Sequence, residues 1–261
     1  MIPSLHTPFT YDNTIDLISL KRLVEHTIQT GCSGMLIGAV AGEGGSLNLE
    51  ERKKIFFSVV EQNSGRIPII ASCSSDEQEV RINLATTAKE YGIDWILCQI
   101  PNESNNEKLI SQIYEIGNSG PSNLMIQDIS WHDYGLKLQT ISDLFQKISQ
   151  FKALKIEVIN SGQKYSDVLK LTRGKLHVSG GWAITEMIDS LDRGVHALMP
   201  STLEEVFVTI LKLYNSGKKQ SAKSLFNRLL PILKFTHQDI NVSIRFSKLL
   251  RVQENIFYNP I

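Results

Sequence analysis

The stretch GMLIGAVAGEGGSLNLEERKKIFFSVVEQNSGRIPIIAS, from Gly34 to Ser72, decides the architecture. A short apolar run (GMLIG, from Gly34) passes through a glycine-rich loop into a long amphipathic segment (NLEERKKIFFSVVEQNSG, ending at Gly65). A second apolar run follows (IPIIAS, from Ile67). Short apolar runs bounded by glycine or proline read as strands buried on both faces, and the longer periodic segment reads as a helix. Strand, helix, strand is the repeating unit of a parallel sheet, because parallel neighbours need a crossover between them.

The same alternation extends outward to about residue 217. Strands are predicted near Ile2, Gly34, Ile67, Asp94 (DWILCQI), Leu124 (LMIQDI), Ala153 (ALKIEVI), Leu176 (LHVSG) and Val195 (VHALMP), and LISLKRLVEHTIQTG is a helix stopped at Gly31. Eight strand–helix units at intervals of roughly 20 to 35 residues predict an α/β fold, a (β/α)8 TIM barrel over residues 1–217. KKQSAKSLFNRLLPILKFTH and NVSIRFSKLLRVQ then predict extra C-terminal helices over 218–261, with apolar faces that cover the barrel wall or a subunit contact. No glycine-rich dinucleotide fingerprint follows the first strand and no P-loop occurs, which argues against a Rossmann fold or a nucleotide hydrolase.

Composition narrows the function. The 261 residues carry 27 Lys+Arg against 27 Asp+Glu, and this zero net charge leaves no electrostatic footprint for nucleic acid or an anionic membrane. The expected partner is a small molecule or another copy of the chain. Cys32, Cys73 and Cys98 lie far apart, form no CxxC or Cys/His cluster, and are expected to be buried reduced thiols. No run approaches the roughly 18 apolar residues that span a bilayer. MIPSLHTPF has no basic segment leading into an apolar run, so we expect a cytoplasmic protein.

The sixth predicted strand, Phe151 to Ile159, carries the most chemical information. Strand side chains alternate, so Leu154, Ile156 and Val158 share one face while Ala153, Lys155 and Glu157 share the other. With the apolar face on the helices, Lys155 and Glu157 turn inward, where a charge is costly unless it is paired or has a task. Burial disfavours the charged form of an amine, and a neutral amine attacks a carbonyl to give a Schiff base. Spacing alone leaves two readings open: a nucleophile, or a structural ion pair at the barrel rim.

Taken together, TPF (Thr7 to Phe9), GCSGMLIGAVAGEGGSLNLEER (Gly31 to Arg52), IPIIASCSS (Ile67 to Ser75) and ALKIEV resemble the dihydrodipicolinate synthase / N-acetylneuraminate lyase family of pyruvate-dependent aldolases, in order and in spacing. The resemblance covers nearly the whole chain, and Glu43 with the SLNLEER run is its most specific part. It implies the same barrel with extra helices, and it puts Lys155 on the family's Schiff-base lysine. It further implies a 2-keto acid as substrate, a homo-oligomer (dimer or tetramer) and no cofactor or metal, since the protonated imine supplies the electron sink. Glu43 is implied to organise its loop and Gly180, in Ser179-Gly180-Gly181-Trp182, to border the keto-acid pocket.

Against that pattern the chain departs at the relay. The family's hydroxyl-bearing carboxylate loop reads Ala39-Val40-Ala41-Gly42-Glu43, leaving the backbone amides of Ala41 and Gly42 as donors. Gln127 stands where the family's proton-relay tyrosine falls, and an amide is no general acid at neutral pH. Ile100-Pro101-Asn102-Glu103 lacks the paired tyrosines of the synthases. His132, which titrates near neutrality, is a candidate replacement relay or else a solvated loop histidine; Asp128 is structural or catalytic. His6, His26, His177 and His237 are expected to be packing or surface residues, and His196, Met199 and Pro200 to close the barrel.

The expectation is a Schiff-base lyase or aldolase with Lys155 as nucleophile, an altered relay drawn from Gln127 and His132, and Val40, Ala41, Gly42 and Gly180 at the substrate. Dehydration of a 2-keto-3-deoxy sugar acid through the same imine also fits. A family member that has lost catalysis and binds a small ligand or partner is the rival.

Overall fold

Side chains cap helices where the sequence supplies them. Asp16 accepts from the N–H groups of Ile18 and Ser19, both at 3.0 Å, and opens α1 (Leu17–Gln29). Asn48 and Glu51 form a capping box at the start of α2 (Leu49–Asn63), each side chain accepting from the other's backbone N–H. These contacts satisfy donors that the first turn of a helix leaves without an internal partner.

The computed structural model describes residues 1–100, 103–181 and 185–261, and among these it has an α/β fold of seven parallel strands and ten α-helices. The chain divides into two units, one comprising 1–68 with 200–261 and the other 69–199. Pro101, Asn102 and Trp182, singled out in the sequence, lie outside the described residues.

In the second unit β2 (Ile69–Ser72), β3 (Trp95–Gln99), β4 (Leu124–Ile129), β5 (Phe151–Glu157), β6 (His177–Gly180) and β7 (Ala197–Leu198) pair in chain order, all parallel. Between them run α3 (Gln78–Glu90), α4 (Asn106–Ser119), α5 (Leu138–Lys147), α6 (Ser161–Leu171) and α7 (Met187–Asp192). β2 and the first five residues of β4 are buried on both faces, as the near-continuous apolar runs require of a parallel sheet. β5 differs in a telling way: Lys152 is exposed at its start, whereas everything from Ala153 to Glu157 is buried, two charged residues included. Cys73 and Cys98 are buried thiols here, and Cys32 is one in the first unit.

The first unit holds β1 (Met35–Ile37), α1, α2, α8 (Glu204–Asn215), α9 (Lys219–Thr236) and α10 (Ile240–Gln253). The strand expected near Ile2 is reduced to a single parallel bridge between Ser4 and Leu36. Leu5 N–H donates to Leu36 O and Leu36 N–H to Pro3 O, both at 2.8 Å, while Ser4 N–H donates to Pro200 O at 2.6 Å. Pro3 and Pro8 bracket this segment, and neither has an N–H to lengthen a ladder. Both predicted C-terminal helices are present as α9 and α10.

Candidate active site

The register between β4 and β5 pairs Gln127 with Lys155, and that between β5 and β6 pairs Lys155 with Ser179. Side chains two apart on a strand share a face, so Lys155 and Glu157 lie together, with 5% and 9% of their side chains exposed. Lys155 Nζ is 3.2 Å from Glu157 Oε1, and Gln127 Nε2 donates to Glu157 Oε2. One carboxylate thus holds the amine with one oxygen and the amide with the other. Gln127, Lys155 and Ser179 are all buried.

Gly181 closes over this group. A Cβ at that position would lie 1.8 Å from Glu157 Oε1 and 2.6 Å from Lys155 Cε, so only glycine leaves room for the carboxylate and the lysine together. Gly180, one residue earlier, lies in β6 opposite Ile156, and its carbonyl accepts from Met199 N–H at 2.9 Å.

A second buried lysine lies in the same unit. Lys164, in the first turns of α6, is 2.5 Å from Asp128 Oδ2, donates to Leu136 O at 2.9 Å and also to Tyr134 O, and sits 4.3 Å from the centre of the Tyr134 ring. Two of the ammonium's three N–H donors thus go to carbonyl oxygens, and its charge is paired with the carboxylate. Burial holds Lys164 below the ordinary lysine range and Asp128 above the ordinary carboxylate range, each drawn partly back by the other's charge. Asp128 Oδ1 accepts from Leu136 N–H at 2.9 Å. Between the anchored residues Gly135 turns with φ +69°, at a point where a Cβ would meet Asp128 Oδ1 at 2.3 Å. The pair therefore pins the loop after β4 to α6.

His132 is on that loop and exposed, with its backbone N–H 3.5 Å from Ser130 Oγ. The neighbouring Tyr134 turns its hydroxyl to Asp167 Oδ2 at 3.2 Å, and partial burial with that carboxylate beside it pushes the phenol up to about 12. Val40, Ala41 and Gly42 belong to the first unit and form a 3-10 turn. The Gly42 amide donates to Ala39 O at 3.0 Å, and its carbonyl accepts from Thr7 Oγ1 at 2.6 Å. Glu43 is 2.5 Å from Lys248 on α10.

Sequence reasoning missed three features. The partnership of Lys164 with Asp128 joins a helix to a strand and has no local periodicity to announce it. The facing of Gln127 and Lys155 depends on register between strands. The fit of Gly181 against Glu157 had a signal, the paired glycines of VSGGW, but attention went to Gly180.

Residues 1–251 match the model of the dihydrodipicolinate synthetase family. The chain is 28% identical over 243 residues to a 4-hydroxy-tetrahydrodipicolinate synthase of Methanococcus maripaludis (strain C6), covering 92% of this chain and 83% of the relative. Its fold superposes on a dihydrodipicolinate synthase from Rhodopseudomonas palustris with a TM-score of 0.91 at 18% identity, covering 100% of this chain and 89% of the other. The Proteus mirabilis N-acetylneuraminate lyase gives a TM-score of 0.88, also at 18% identity, over 99% of this chain and 89% of that one.

Proposed function

We infer the chemistry from kinship as well as geometry: this chain belongs to the dihydrodipicolinate synthetase family, whose members are lyases of the class I aldolase type. Within that family we propose that Lys155 condenses with the keto group of pyruvate or a related 2-keto acid, and that the resulting imine drives making or breaking of the adjacent bond. The carrying observation is the contrast between two buried lysines. Among the described residues Lys164 donates to two carbonyls and pairs with Asp128, whereas Lys155 is held by one carboxylate oxygen on a strand end that faces glycine. An amine with one ionic partner has fewer contacts to give up before attacking a carbonyl.

The fold we propose is the closed (β/α)8 barrel over 1–217, with Ser4 and its neighbours in the place of the eighth strand, and a helical extension over 218–261. The substrate carboxylate is assigned to the Val40–Gly42 loop, with the amides of Ala41 and Gly42 as donors, and the pocket wall to Gly180. Gln127 replaces the relay tyrosine by orienting Glu157, and His132, on the loop after β4, is kept as a second relay candidate. A dimer or tetramer in the cytoplasm is the proposed state; no helix among the described residues is long and apolar enough to cross a membrane.

Borohydride reduction in the presence of pyruvate tests the nucleophile. A mass increment on the Lys155 peptide, absent from Lys155→Ala, is the expected result. No increment with pyruvate or with longer 2-keto acids overturns it and leaves the ligand-binding alternative. That alternative draws on the same ion pair, which holds Lys155 against Glu157. Cleavage and dehydration share the imine, and product analysis after trapping separates them.

A further inference from the structure

We propose that Glu157 is the general acid–base of the Lys155 centre, taking over from the phenol whose place Gln127 occupies. The proposal rests on Lys155 as the Schiff-base nucleophile and adds the group that moves its protons. Imine formation needs a base to free the amine and an acid to expel the carbonyl oxygen as water, and carbon chemistry then needs a base at the neighbouring carbon.

Among the described residues Glu157 is the carboxylate that touches Lys155, and the other polar groups named so far are engaged elsewhere or exposed. The Gln127 amide has no proton to give at neutral pH. Asp128 is bound to Lys164 and to the Leu136 amide, Tyr134 faces Asp167, and His132 is exposed. Glu157 Oε1 is 3.2 Å from Lys155 Nζ, within the reach of direct proton transfer, and the pair is almost out of water. Gln127 Nε2 holds the other oxygen, which fixes the carboxylate plane, and the missing Cβ of Gly181 gives the carboxylate its space. Strand period sets the arrangement: positions 155 and 157 face the same way, and Gln127 is the register partner of Lys155.

The steps balance. The Lys155 ammonium gives one proton to the Glu157 carboxylate, and the neutral amine adds to the keto carbon. The carbonyl electron pair moves to oxygen, which takes a proton from nitrogen to give the carbinolamine. Protonated Glu157 gives its proton to that hydroxyl, water leaves, and the nitrogen lone pair forms the iminium. The regenerated carboxylate removes a proton from the carbon next to the iminium, whose electrons flow to nitrogen to give the enamine. No further reactant is consumed.

Exchange of the pyruvate methyl protons in D2O, followed by NMR, reads the last step, and borohydride trapping reads the lysine. Wild type is expected to exchange and to be trapped, and Lys155→Ala to do neither. Glu157→Gln is expected to lose exchange by at least about 100-fold, the span of general acid–base catalysis, while prolonged incubation still marks Lys155. Added formate is expected to restore part of the exchange to Glu157→Ala, a rescue that a purely structural carboxylate would not give. Where the neutral variants fail to fold, Glu157→Asp decides: it keeps the charge and is expected to exchange at least about tenfold more slowly than wild type with trapping retained. Exchange within threefold of wild type in folded Glu157→Gln, or in Glu157→Asp, overturns the proposal while leaving Lys155 in place. A wild type that neither exchanges nor is trapped overturns the Lys155 reading, and this proposal with it.

Discussion

Arg251, on α10, donates through Nη2 to both carboxylate oxygens of Glu204, the first residue of α8, at 2.5 Å each, and each side chain is only 1% exposed. Arg251 Nη1 also reaches Glu254 at 2.8 Å. Removing one member of such a pair strands a charge away from water. Arg251→Met is expected to lower the unfolding free energy by about 3–5 kcal/mol in urea titrations, and Arg251→Met with Glu204→Leu to recover most of that. A double variant as unstable as the single would show that packing around Arg251, and not its charge, sets the cost.

Lys164→Met is expected to free the loop after β4. Asp128 and the carbonyls of Tyr134 and Leu136 lose their donor together, and the loss of one partner from a buried pair costs about 3–5 kcal/mol. Hydrogen exchange at residues 133–137 should accelerate, with the Leu136 amide responding most clearly. Asp128→Asn should be milder, because an amide oxygen still accepts from Leu136. Unchanged protection in Lys164→Met would refute the anchoring role.

Stability is expected to fall on the acid side. His6 is fully buried, near Arg251 and Lys248, and desolvation with those two charges pushes its pKa down to about 3; burial pushes His177 down to about 4. For a histidine depressed in the fold the stabilisation is complete above the unfolded value, near 6.5, and disappears as pH falls through the folded one. Between pH 6.5 and about 4 the unfolded chain takes up protons that the folded chain refuses, so urea midpoints should decline across that window. His6→Phe should flatten the decline, and an unaltered slope would remove His6 as its source.

Gly181→Ala is expected to slow borohydride-dependent labelling of Lys155 by tenfold or more while the fold persists. The new methyl group would occupy the place of the Glu157 carboxylate and press on Lys155. Circular dichroism alongside a labelling time course checks both halves. Labelling at the wild-type rate would mean that the carboxylate moves aside without consequence.

The three thiols are expected to be silent in the folded protein. Burial and the nearby Glu204 push Cys32 up to about 12, and Cys73 and Cys98 are wholly buried. Thiolate is the reactive form, so a colorimetric thiol reagent at pH 8 should find almost nothing until denaturant exposes three equivalents. Rapid native reaction would indicate local opening around a cysteine.

Much of the fold was legible because its signals are local. The runs from Met35, Ile69, Trp95 and Leu124 are mostly apolar and buried, and such runs between amphipathic segments have few other uses. The segment at Ile2 looked like its companions, yet Pro3 and Pro8 leave it one bridge, a backbone constraint that hydrophobicity does not register. At the candidate site the period of two gave Lys155 and Glu157 a common face from sequence alone. Their neighbour Gln127 was visible only through resemblance, because register between strands is set by the whole sheet. Lys164 gave no sign at all: on α6 it reads as an ordinary polar helix position, and only the packing of the β4 loop makes it a buried cation.

The clearance between Gly181 and Glu157 also bears on descent. With glycine at 181 the side chain at 157 can be shortened or neutralised without a clash from that side. The reverse order is harder, since a side chain at 181 meets the Glu157 carboxylate and Lys155 until one of them shifts or 157 has first become smaller. Change at this centre therefore has a direction, and among relatives of this chain a non-glycine residue at the position of Gly181 should accompany a short residue at that of Glu157.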